Sequence, residues 1–225
     1  MTRPYYKSKV LWIWALTGLL VMLASSIFGV EAYAQVTPTP AEDILDALLC
    51  HDSNVCLLAS RNSAKSTITY QYVTWRLWRN PESEIVLIVS NAENLAKRAI
   101  KAIRGYITLH PLLEELLPDD DQHDAAFQLE VGPAKGKLGM NTSLTAKGIS
   151  GQLPGLRATL VVGDDVEVPS HDTPEQVDKL EEAIGEFHNI ASEGAEIKIL
   201  GTPQSEFSLY GRLKRSDAWT VFRAK

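Results

Sequence analysis

The chain has 225 residues, 45% of them apolar, which is ordinary for a globular protein and suits one to one and a half domains. Its 22 basic and 28 acidic side chains give a net charge of −6, which argues against a general nucleic-acid coat. Two cysteines, Cys50 and Cys56, make no metal framework and read as free thiols, and the five histidines show no ligand spacing. Residues 1–36 form an apolar leader. Val10 to Val30 carries no charge, follows Arg3, Lys7 and Lys9, and reads as one continuous helix. Read alone, it is a single-pass membrane span or a long signal peptide; as a span it would send the rest of the chain outward. The competing reading is a helix that contacts protein. Thr37-Pro38-Thr39-Pro40 is a stiff breaker, followed by a short amphipathic helix over Ala41–Leu49.

Alternating elements follow. The pattern predicts strand 55–60, helix 64–79, strand 85–90 and helix 92–104, with further helix to Leu117 broken near Pro111. Residues 118–124 read as an acidic turn and 126–147 as a β excursion. Strand 159–163, helix 174–192 and strand 196–200 complete the series. Strands alternating with helices predict an α/β fold with a parallel sheet. Trp75 and Trp78, three apart on one helix face, read as core.

Three segments carry chemistry. Ala59-Ser60-Arg61-Asn62-Ser63-Ala64-Lys65-Ser66 has the eight-residue frame of a phosphate-binding loop between a strand and a helix. Backbone N–H groups from Ser60 through Ser63, Ala64 and Thr67 would cradle phosphates at a helix N-terminus. Lys65 would reach the β/γ oxygens and Ser66 would hold Mg²⁺. Ala59 and Ala64 stand where the frame has Gly, and Ala tolerates positive φ poorly. The alternative is a plain strand–turn–helix with a surface Lys. Leu160-Val161-Val162-Gly163-Asp164-Asp165-Val166-Glu167 is an apolar run that ends in carboxylates. Sites in open α/β sheets lie at the carboxyl ends of strands, so Asp164 is placed to share Mg²⁺ with Ser66. Asp165 or Glu167 would polarise an attacking water. In the third segment, Gly201-Thr202-Pro203-Gln204 follows a strand, and Thr202 and Gln204 would sense a γ-phosphate; otherwise it is a plain turn. Arg61 is an arginine finger within the chain or a surface Arg. Gly148, Gly151, Gly155 and Arg157 form a loop facing DNA or a neighbouring subunit, or simply packing.

Residues 148–170 (GISGQLPGLRATLVVGDDVEVPS) and 199–213 (ILGTPQSEFSLYGRL) resemble the large terminase subunit of tailed bacteriophages, most of all its DNA-maturase-B type. That family has an Arg four residues before the loop Lys, matched by Arg61, and often Ala in place of the second Gly, matched by Ala64. Residues 75–79, 85–90 and 127–133 also look like family segments, and the resemblance covers 37–215. It implies a P-loop NTPase of the RecA/ASCE-like kind over 37–225, with ATP and Mg²⁺ as ligands. The implied activity is ATP hydrolysis coupled to DNA translocation in viral genome packaging, in the host cytoplasm. The implied partners are double-stranded DNA, a portal and procapsid, a small terminase subunit and a homo-oligomeric ring. The family's adenine-contacting Gln is here Glu42, and the family's apolar helix ahead of its nucleotide domain matches the leader. A nuclease domain and the last strands of the ATPase sheet are expected to be missing from this chain. A second class of reading is an inert or membrane-anchored remnant of such an ATPase; another helicase-like DNA-dependent ATPase is a close variant of the first.

Overall fold

Strand β1 (Asn54–Ala59) is apolar after its first residue, and its side chains alternate between two cores. Val55 and Leu57 face one layer, Cys56 and Leu58 the other. The computed structural model describes residues 40–119, 124–151, 155–168, 173–202 and 208–224, within the unit Pro38–Lys225. The leader lies outside these residues.

Helix α1 (Pro40–Leu49) precedes β1, and α2 (Lys65–Arg79) follows it. Then come β2 (Val86–Ser90), α3 (Glu93–Leu109) and a 3₁₀ segment at Pro111–Leu116. Pro111 lacks the N–H that would continue α3, so the break falls there. Two short strands, β3 (Asp124–Ala125) and β4 (Gln128–Leu129), lead to β5 (Leu144–Gly148). Strand β6 (Ala158–Asp164), helix α4 (Pro174–Ile190), strand β7 (Ala191–Gly201), helix α5 (Leu209–Arg215) and strand β8 (Thr220–Ala224) complete the order.

The strands form one sheet in the order β3-β4-β5-β2-β6-β7-β1-β8. From β5 to β8 every neighbouring pair is parallel. Among the described residues only β3–β4 and β4–β5 are antiparallel. One strand, β7, separates β1 from β6, so the loops after β1 and β6 share the carboxyl edge. Helices α1, α2 and α3 cover one face, burying Ile44, Leu48, Val73, Leu77, Ile100 and Ile103 against Leu57, Ile88 and Val162. Helices α4 and α5 cover the other, with Leu180, Ile184, Phe187 and Tyr210 against Cys56, Leu87 and Val161. Both cysteines are free, and Trp75 and Trp78 pack against the first layer.

One expectation is met and one needs correction. The stretch 126–147 holds β4 and most of β5, as a β excursion should. Its end, β5, pairs with β2 in parallel register, Leu144 opposite Val86 and Gly148 opposite Ser90. The sheet, however, does not stop at β7. Thr220–Ala224 adds a parallel strand beside β1, with Cys56 opposite Val221.

At the amino end of the sheet, Arg76 of α2 bridges Glu84 at 2.8 Å and Glu196 of β7 at 2.9 Å. Removing one member of so buried a cluster leaves an uncompensated charge. This ties the far end of α2 to two strands and fixes the direction in which its near end points.

Candidate functional site

The loop after β1 turns through two left-handed residues, Asn62 at φ 64° and Ala64 at φ 60°. The second is the residue just before α2, and no side chain caps the helix. The N–H groups of its first turn therefore lack a side-chain acceptor, and the helix dipole presents positive charge there. Within the loop the buried Ser63 hydroxyl also has no partner. Ser60, Arg61, Asn62 and Thr67 are exposed.

Lys65, in the first turn of α2, is 7% exposed. Its ammonium lies 3.0 Å from Asp165 Oδ2 and donates to Thr202 Oγ1 at 3.1 Å. Ser66 Oγ donates to Asp164 Oδ1 at 3.0 Å. The three segments singled out in the sequence thus meet at the carboxyl edge. Gln204 lies outside the described residues.

Two further residues complete the cluster. Tyr70 OH donates to Asp164 Oδ2 at 2.7 Å. Asn91, just after β2, donates from Nδ2 to the Asp165 carbonyl at 2.8 Å. The Asp165 N–H donates to the Leu200 carbonyl at 2.9 Å, and its φ of 47° turns the chain back over the sheet edge. The sequence reading missed Tyr70 and Asn91. A polar side chain one helical turn after Ser66, on the same face of α2, was the available signal for the first.

Burial pushes the Asp164 carboxyl above the ordinary carboxylate range; the Tyr70 and Ser66 hydrogen bonds and the Lys65 charge oppose the shift. Burial, aided by the neighbouring Asp164 charge, raises the Tyr70 hydroxyl, which therefore stays a donor. Glu167, the other carboxylate proposed for water activation, is buried and faces the backbone N–H groups of Tyr210 and Leu209, and burial raises its pKa. Of the pair, Asp165 is the one in contact with Lys65. Arg157 donates to the Asn189 carbonyl at 2.9 Å, which ties the loop before β6 to α4.

Clefts elsewhere are larger in appearance than in chemistry. One of about 240 Å³ lies beside Trp75, Arg76 and Glu196, and one of about 390 Å³ beside Phe127, Lys147 and Gly148. The converging polar groups at the loop, rather than concavity, mark the site.

The terminase large subunit of Enterobacteria phage T3 is 34% identical over 189 residues, 82% of this chain. Over those residues the chain resembles the terminase large subunits. It spans only 32% of that relative's length. The large terminase of bacteriophage HK97 superposes with a TM-score of 0.54 at 15% identity, covering 84% of this chain and 39% of that one. At that identity the likeness concerns the fold alone. No protein-family model matches the chain. Among the described residues no helix is long and apolar enough to cross a membrane; residues 10–30, whose membrane reading this would test, are not among them.

Proposed function

We propose that residues 37–225 bind ATP with Mg²⁺ and hydrolyse it as the motor part of a DNA-packaging terminase large subunit. The observation that supports this best is the meeting of Lys65 and Ser66 with Asp164, Asp165 and Thr202 at one sheet edge. The strand order, with one strand between the phosphate loop and the acidic strand, favours a P-loop NTPase.

The residues present suit such ligands. The uncapped start of α2 and the unpartnered Ser63 hydroxyl offer donors to phosphate oxygens. Ser66 Oγ and the Asp164 carboxylate are hard oxygen donors suited to Mg²⁺, which usually takes one or two protein carboxylates and completes its shell with phosphates and water. When bound, the cation neutralises charge developing on the β/γ oxygens.

The loop N–H groups from Ser60 to Thr67 orient the triphosphate. Lys65 exchanges its contacts with Asp165 and Thr202 for phosphate oxygens. That exchange frees the Asp165 carboxylate to orient the attacking water and accept its proton. Thr202, hydrogen-bonded to the same ammonium, reports whether Lys65 has moved. The exposed Arg61 would offset charge on the transferred phosphoryl group. Double-stranded DNA, a portal and procapsid, a small terminase subunit and further copies of the chain in a ring are the partners of this motor. It works in the host cytoplasm.

Titrating the full chain with a fluorescent ATP analogue tests the reading. Saturable binding that weakens when divalent cations are chelated is the expected result. No binding up to about 1 mM nucleotide, the top of the usual range for enzyme substrates, would sink it.

A further inference from the structure

We infer that Tyr70 is a positioning residue for the divalent cation: its hydroxyl fixes the Asp164 carboxylate so that the edge shared with Ser66 is presented to the metal. The inference rests on the nucleotide-site reading above and deepens it.

Asp164 has two carboxylate oxygens, and each has its own donor from α2. Oδ1 accepts from Ser66 at 3.0 Å and Oδ2 from Tyr70 at 2.7 Å. The donors are four residues apart, so they project from one face of the helix on successive turns. Ser66 and Asp164 Oδ1 would hold a cation, while the Tyr70 bond, on the other oxygen, could persist. Without Tyr70 the carboxylate is free to turn about its terminal torsion, which is broad and roughly two-fold. Tyr70 is half-buried and the Asp164 side chain is buried, so no bulk water substitutes readily for the lost donor. Partners of this kind, one bond away from a metal, typically govern affinity by 10–100-fold.

The test is binding of the fluorescent ATP analogue across a Mg²⁺ titration, for wild type and Tyr70→Phe in the full chain. The expected result is a Mg²⁺ midpoint raised about tenfold or more, with metal-free nucleotide affinity and unfolding temperature little changed. Mg²⁺-dependent binding in wild type with the same midpoint in Tyr70→Phe overturns the inference and leaves the nucleotide site standing. Absence of binding in wild type overturns both. If Tyr70→Phe does not fold, Tyr70→Gln and Tyr70→Met, similar in size with and without a donor, take its place. A lower Mg²⁺ midpoint for Gln than for Met supports the role, and equal midpoints reject it.

Discussion

Asp164 is the residue at which stability and function pull apart. Burial disfavours its charged form, and burial together with the neighbouring Asp165 charge outweighs the two hydroxyl donors and Lys65. A carboxyl whose folded pKa is raised contributes most to stability below its unfolded value, and that contribution is lost as pH rises through the folded one. Above its unfolded pKa the carboxyl is therefore a burden on the metal-free fold. Asp164→Asn keeps the shape and removes the charge. It should raise the unfolding temperature at pH 7 in the absence of nucleotide and Mg²⁺. The gain over wild type should shrink as pH falls toward about 4, where a free carboxyl protonates. The same change should abolish Mg²⁺-dependent nucleotide binding. Thermal unfolding at several pH values checks this; an Asn variant that is less stable at pH 7 would mean that the Ser66 and Tyr70 hydrogen bonds dominate over burial.

The element that places the third segment is the end of β7. Gly201 precedes Thr202, and a Cβ at this position would stand 1.9 Å from Cζ of Tyr210. That ring is 1% exposed and packed into the α4/α5 layer. The close approach lets α5 lie against the strand whose tip carries Thr202. Gly201→Ala must push the ring out of a filled core, and overpacking of this kind costs roughly 1–3 kcal/mol. Urea denaturation should show a loss in that range. A change under about 0.5 kcal/mol, the size typical of a surface substitution, would show that the ring has room to move.

These elements also explain what the sequence reveals and what it conceals. β1, β2 and β6 are mainly continuous apolar runs, as strands buried on both faces should be, and the end of β7 is broken only by Lys198. α2 is bounded by its own motif, so its start was legible to within one residue, Lys65 against the expected 64. β5, reading Leu-Thr-Ala-Lys-Gly, has no such run. Its burial comes from β2 on one side and α3 above, which only the folded chain supplies. β8 is a short, half-buried strand beside β1, and its five residues give no clear period. Tyr70 read as one more aromatic on a helix, because its partner is 94 residues away. Asn91 acts through a backbone carbonyl 74 residues from it in sequence. Contacts of that span carry no local signature.

For the whole molecule, the central claim is that the parallel sheet exists to bring the tips of β1, β6 and β7 together around one triphosphate. The two faces differ in task. On the α1–α3 face, α2 begins at the proposed phosphate loop, while α4 and α5 brace the acidic strand and the Thr202 strand from behind. Arg76, at the far end of α2, holds that helix to Glu84 and Glu196, so Lys65 and Ser66 are aimed by a clamp at the opposite edge. The most direct test is phosphate release from ATP by the full chain with Mg²⁺, compared between wild type and Lys65→Ala. The account predicts that removing the ammonium slows turnover roughly a hundredfold or more, the effect expected for losing one charge-stabilising donor in the transition state. Turnover by Lys65→Ala within about twofold of wild type, a difference of under ~0.5 kcal/mol in barrier, would contradict it.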